Sequence, residues 1–180
     1  MSDAARLLGA LHFSAERHRD QRRKGASQAP YINHPIEVAH VLASIGGVTD
    51  LDTLLAAILH DTIEDTGTTG AELEARFGRE VRALVEEVTD DKRLPREERK
   101  RLQVQQAAHQ SAKARLIKLA DRICNVQDVT HAPPSDWSRE RRVAYLDWTA
   151  EVVAGCRGAN VALERHHDEV LAAGRKVLGA

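Results

Sequence analysis

The stretch Leu51-Asp52-Thr53-Leu54-Leu55-Ala56-Ala57-Ile58-Leu59-His60-Asp61-Thr62-Ile63-Glu64-Asp65-Thr66 decides the fold. An ideal α-helix advances 100° per residue, so with His60 at zero Glu64 falls at about 40°, Asp61 at about 100° and Asp65 at about 140°. Ile58, Leu51, Leu55, Leu59 and Ile63 fall between about 160° and 300°, on the other side. The spacing predicts one helix from Leu51 to Thr66, with its oily face set into a core. An imidazole and three carboxylates then share the sector at the edge of the buried region. Close carboxylates repel each other unless a cation or a shared proton relieves them, so the same stretch raises a metal site.

Working outward, the flanking chain reads as further amphipathic helices. Upstream, Asp3 is suited to cap a helix carrying Leu7, Leu8, Leu11 and Ala15 and running to about Asp20. A basic loop from Gln21 to Pro30 follows, and Pro35 suits the first turn of a helix that stops at Gly46-Gly47. Downstream, Thr69-Gly70-Ala71-Glu72 reads as a capping box, and its helix ends at Phe77-Gly78. Val81, Leu84, Val85 and Val88 form the stripe of the next helix. Pro95 opens a charged helix through Arg101, read as a solvated face because its signs are mixed. Ser111 caps a helix from Ala114 to Val129, on which Asp121, Asn125, Lys118 and Asp128 share the polar side. A helix from about Ser138 to Ala154 is broken by Gly155 and Gly158, and Asn160 caps a last one through Leu178.

Composition agrees with helices. Hydrophobic residues make up 42% of the 180 residues and aromatics only 3%, so Leu, Val, Ile and Ala must build the core. The length suits one domain. A net charge of −1 is not the basic balance of a nucleic-acid binder. No apolar run approaches the ~18 residues of a membrane span, and the N-terminus has no signal-peptide apolar region. Cys124 and Cys156 are spaced for neither a zinc knuckle nor a disulfide framework, which reads as a reducing cytoplasm.

The His60-Asp61 pair is weak evidence alone. Its company strengthens it: Glu64-Asp65 one turn on, His34 upstream, and Asp121 on a matching helix. Mixed imidazole and carboxylate ligands without thiolate suit Mn²⁺, Fe²⁺, Zn²⁺ or Mg²⁺. The other histidines, His12, His18, His40, His109, His131, His166 and His167, read as surface or packing residues.

Several motifs carry a resemblance along most of the chain. They are Arg22-Arg23-Lys24-Gly25, Tyr31-Ile32-Asn33-His34-Pro35, Ile58-Leu59-His60-Asp61, Thr62-Ile63-Glu64-Asp65-Thr66, the run from Val85 to Lys92, the run from Glu98 to Gln103, and the run from Lys118 to Asn125. With these the sequence resembles the HD-domain phosphohydrolases, and more closely the small alarmone hydrolases of the metazoan SpoT-homologue type and the hydrolase half of RelA/SpoT enzymes. The resemblance implies an all-α, single-domain HD-type bundle of about eight to ten helices. That domain would span residues 1–180, with a motif core from about Ala15 to Leu163. It also implies removal of the 3′-pyrophosphate of guanosine tetra- or pentaphosphate, giving GDP or GTP and pyrophosphate.

By the same resemblance His34, His60, Asp61 and Asp121 match the positions that hold one Mn²⁺ ion. Glu64 and Asp65 match the pair that positions and deprotonates the attacking water. Arg23 and Lys24 match residues that meet the substrate's phosphates, and Asn125 one near substrate and metal. Trp137, Arg141 and Tyr145 match the nucleotide side of the pocket. The physics is consistent: a cation acidifies water and neutralises a phosphoryl oxygen, a carboxylate takes the proton, and an Arg fork receives phosphate.

The partner expected is a nucleotide, with no nucleic acid and no membrane, and a monomer is the plain oligomeric state. Two other functions fit less of the pattern. One is the same hydrolysis on another nucleotide, such as the 2′-phosphate of NADPH, because metal ligands set the chemistry and not the base. The other is a non-catalytic nucleotide-binding module, against which stands the complete set of ligand and water-activating residues.

Overall fold

The structure, a computed structural model, describes residues 2–180 and is built from helices. In chain order these are α1 (Asp3–Arg17), α2 (Asn33–Ser44), α3 (Leu51–Leu59), α4 (Thr62–Asp65), α5 (Gly70–Phe77), α6 (Arg79–Val88), α7 (Arg96–Gln106), α8 (Ala112–His131), α9 (Arg139–Cys156) and α10 (Val161–Leu178). A 3₁₀ turn, Ala107–His109, lies between α7 and α8. Among the described residues there is no strand. Two isolated bridges, Arg22 with Pro30 and Gly25 with Pro134, close the basic loop on itself and tie it to the loop after α8.

Side-chain caps begin most of the longer helices, and they follow from residue type. The side chains of Asp50, Thr69, Ser111, Ser138 and Asn160 accept from the backbone amides of the first turns of α3, α5, α8, α9 and α10. Ser2 caps α1 rather than Asp3, which sits one residue inside and still favours that end of the helix dipole. The capping box at α5 is half formed. Thr69 accepts from the Glu72 amide at 3.2 Å, but the Glu72 side chain pairs with Arg17 instead of reaching back.

The decisive stretch is two helices rather than one. α3 ends at Leu59, and a turn at His60 and Asp61 precedes α4. Thr62 is fully buried, and its hydroxyl donates to the Leu59 carbonyl at 2.7 Å, taking an acceptor that a continuing helix would use. The oily half behaves as its pattern requires: Leu55, Ala56, Ala57 and Leu59 are wholly buried, and α3 packs against α1, α2, α6 and α8. α9 and α10 pack on α8, which presents buried side chains along its whole length.

Gly155 does not break α9, which continues to Cys156. It is where α9 meets the 3₁₀ turn. A Cβ there would lie 2.7 Å from the Ala107 Cβ and 3.0 Å from the Ala108 nitrogen. Backbone stands close by, so relief by rotamer change is blocked. Gly155→Val is expected to lower the unfolding free energy by about 2–3 kcal/mol through overpacking. Urea titration measures this, and an unchanged midpoint would show that the approach is not tight.

Candidate active site

Two helices and one turn converge on a small cavity. His34 comes from the first turn of α2, His60 and Asp61 from the turn after α3, and Asp121 from the middle of α8. Ligand atoms of His34, His60 and Asp121 lie within 4.8 Å of one another, and all three residues are buried. Asp61 stands beside them, its Oδ2 3.1 Å from His60 Nε2 and 3.9 Å from His34 Nε2. The Tyr31 hydroxyl donates to the same Oδ2 at 2.6 Å. His34 Nε2 is 3.1 Å from Asp121 Oδ1.

The donor set fits a divalent cation. His60 Nδ1 lies 2.8 Å from the Ala57 carbonyl oxygen, which only accepts, so Nδ1 carries the hydrogen and Nε2 faces the cluster. That Nε2 is buried without a hydrogen-bond partner. An orphaned imidazole nitrogen among carboxylates is the arrangement a cation completes.

Burial opposes the charged forms of Asp61 and Asp121, and neighbours overrule it. His60 and His34 hold Asp61 below the usual carboxylate range. Arg122 and His34 do the same for Asp121. The Arg122 guanidinium pairs with Asp121 on one side and lies 4.9 Å over the Trp148 ring on the other. Asn125 Nδ2 donates to the other Asp121 oxygen at 2.5 Å.

Glu64 and Asp65, adjacent on α4, part company. Glu64 lines the small cavity of about 120 Å³ that contains the ligand cluster. Its Oε2 accepts from the Asp90 amide at 3.1 Å, and its Oε1 is 3.8 Å from Arg99. Burial pushes its carboxyl up to about 7, with Asp90, Asp61 and Asp65 adding in the same direction against the amide's hydrogen bond. Asp65 instead lines a neighbouring cavity of about 790 Å³, where it pairs with Lys92 and accepts from Gln21 at 2.8 Å.

The larger cavity holds most of the residues expected at the substrate. Arg23, Lys24, Asn125, Trp137 and Tyr145 line it, and Arg23 and Asn125 border both cavities. Arg23 is already engaged: Nε and Nη2 donate to Asp128, and Nη2 also donates to Asn125 at 3.0 Å. Lys24 takes part in no ion pair among the described residues. Trp137 and Tyr145 have ring centroids 5.5 Å apart. Arg141 does not line the cavity; its guanidinium lies 4.4 Å over the Trp137 ring and braces it.

Sequence reasoning passed over several residues of this site. Tyr31 and Lys92 lie inside motifs that already stood out, without a role of their own. The charged α7 is more than a solvated face: Arg99 reaches Glu64, and Gln103 donates to Asp90 at 2.6 Å. Lys118, buried on the polar side of α8, lines the small cavity. Its position three residues before Asp121 was the available signal. His18 and His167 are buried packing residues, and His18 stacks on Tyr31 with centroids 4.8 Å apart.

Comparison with known proteins matches this geometry to a family. The family model for the HD domain matches residues 10–147. The chain is 53% identical over 169 residues to the Xenopus tropicalis protein named guanosine-3′,5′-bis(diphosphate) 3′-pyrophosphohydrolase MESH1, with 94% of each chain covered. It is 55% identical over 163 residues to the Homo sapiens protein of the same name, with 91% of each covered. A solved structure described as a metazoan ortholog of SpoT that hydrolyses ppGpp superposes with a TM-score of 0.91 at 44% identity, covering 94% of this chain and 95% of that one. No helix among the described residues is long and apolar enough to cross a membrane. With its His/Asp cluster drawn from α2, the turn after α3, and α8, this chain belongs to the HD-domain family, with the MESH1 proteins among its relatives.

Proposed function

We propose that this protein is a guanosine-3′,5′-bis(diphosphate) 3′-pyrophosphohydrolase, working as a single domain with one Mn²⁺ ion in the cytoplasm. One observation carries the reading. The cluster of two imidazoles and two carboxylates shares its cavity with Glu64, and Arg23, Tyr31, His34 and Asn125 border both that cavity and a neighbouring one, large enough for a nucleotide, which Lys24 also lines. The relatives with near full-length identity bear the name of that activity.

His34, His60, Asp61 and Asp121 would hold the ion. When bound it supplies Lewis acidity, offsetting charge on a phosphoryl oxygen and acidifying water. The chain's own groups do the rest. Glu64, its carboxyl lifted to about 7, takes a proton from the attacking water at a working pH near neutrality. The water oxygen bonds to the phosphorus next to the ribose 3′-oxygen, that P–O bond breaks, and the 3′-oxygen leaves with a proton. Asp65 holds Lys92 at the mouth of the large cavity. Arg23, set by Asp128 and Asn125, and the unpaired Lys24 meet phosphates. Trp137, braced by Arg141, and Tyr145 form an aromatic wall for base and sugar.

Two buried free cysteines, Cys124 and Cys156, accord with a reducing compartment.

Incubation of the pure protein with guanosine tetraphosphate and Mn²⁺, Mg²⁺ or Zn²⁺ tests this. GDP and pyrophosphate are expected in equal amounts, fastest with Mn²⁺. Absence of turnover with every metal would overturn the assignment, and a higher kcat/KM for NADPH in a parallel arm would reassign the substrate.

A further inference from the structure

Three cations line the small cavity, and two of them are spoken for. Arg23 is held by Asp128 and Asn125, and Arg122 by Asp121. The third is Lys118, on the same face of α8 as Asp121 and Asn125. Its side chain is 6% exposed, yet it enters no ion pair or side-chain hydrogen bond among the described residues. A buried ammonium without a partner is costly, and natural chains keep such groups paired or at work. Burial, and then Arg122, disfavour its charged form, and Asp90 and Asp121 offset them only in part. Lys118 is the one of these three cations that no carboxylate or amide of the cavity engages, and the cavity, about 120 Å³ around the His/Asp cluster, has room for a bound anion beside it.

We propose that Lys118 is a phosphate-binding catalytic residue whose ammonium meets the anionic oxygens of the substrate's pyrophosphoryl group inside the metal cavity. This rests on the pyrophosphohydrolase reading above for the identity of the anion, though not for the existence of the anion site. Lys118 transfers no proton. It offsets charge on the phosphoryl oxygens as the water oxygen bonds to phosphorus and the 3′-oxygen departs, the place where a fixed positive charge in a dry site acts most strongly. A compact ammonium suits that depth better than a guanidinium fork. The group serves function at the expense of stability, so removing it moves the two in opposite directions.

The test uses the full chain with metal removed by chelation and inorganic pyrophosphate as the probe, titrated calorimetrically into wild type, Lys118→Met and Lys118→Arg. Lys118→Met is expected to lose at least tenfold in pyrophosphate affinity while its ligand-free Tm equals or exceeds that of wild type. Lys118→Arg is expected to regain part of the affinity. With Mn²⁺ restored, Lys118→Met is expected to lose on the order of 100-fold in kcat on guanosine tetraphosphate. Undiminished pyrophosphate binding by Lys118→Met overturns the proposal, as does failure of the wild type to bind pyrophosphate. A lowered Tm with unchanged affinity marks a structural lysine and overturns it too. Lys118-dependent pyrophosphate binding in a wild type that leaves guanosine tetraphosphate intact upholds the anion site and discards the substrate assignment instead.

Discussion

Exchanging His60 for glutamine is expected to empty the cation site and, with it, to abolish turnover. His60 supplies an Nε2 with no other partner, and its Nδ1 is bonded to the Ala57 carbonyl. The variant loses the ring nitrogen that faces the cluster. Cation affinity should fall on the order of 10³-fold, about 4 kcal/mol, and kcat/KM at least as far. Asp121 is a poorer choice for the same experiment. It is the partner of the buried Arg122, and removing it strands a guanidinium at a cost of about 3–5 kcal/mol. Metal analysis after equilibrium dialysis reads the result. A His60→Gln protein that binds one ion per chain as tightly as wild type would remove His60 from the ligand set.

The second large effect combines a loss with a gain. Glu64→Gln is expected to lower kcat by about 10²–10⁴-fold with little change in KM, since it removes a proton acceptor and keeps the shape. In the chelated protein the same exchange should stabilise the fold at alkaline pH. The sign follows from linkage. The folded carboxyl titrates at about 7, above its ordinary value near 4.5, so the native state disfavours ionisation. Nothing is lost below pH 4.5, and the full penalty, up to about 3 kcal/mol, applies once the pH has risen past 7. Asp90, Asp61 and Asp65 face Glu64 and sharpen the penalty; Arg99 and Lys92 soften it. Denaturation at pH 8 and pH 5 should show the variant more stable than wild type at the first and close to it at the second. Equal stability at both would mean that Glu64 is well solvated and unsuited to act as a base near neutrality.

The elements that could be read from residue type are those whose physics is local. Caps at Thr69, Ser111 and Asn160 and the oily stripe of α3 depend on neighbours within a turn, and they appear where the sequence puts them. Gly155 was misread because its reason is tertiary: a glycine that permits close approach looks in sequence like one that ends a helix. The break after Leu59 was missed because the hydrophobic period runs straight through it, and only the buried Thr62 hydroxyl discloses the competing bond. Arg99 and Gln103 were hidden by company, as one inward-facing edge of a helix whose charges otherwise face water. The candidate ligands stood out as unusual residue types in sparse positions. Tyr31 beside Asp61, Arg122 beside Asp121 and Asp90 beside Glu64 are ordinary residues whose importance is a matter of distance.

The interruption between α3 and α4 also insulates one half of the stretch from the other. In an unbroken helix every side chain's bearing is locked to every other's, so a small rotation that accommodates a repacked leucine would swing Glu64 by the same angle. The turn at His60 and Asp61 cuts that linkage. Drift among Leu55, Ile58 and Leu59 is absorbed by the core without re-aiming the carboxylate, while drift at Thr62 is not. The oily half is thus expected to accept apolar exchanges that leave Glu64 in place, whereas the four residues after the turn are not.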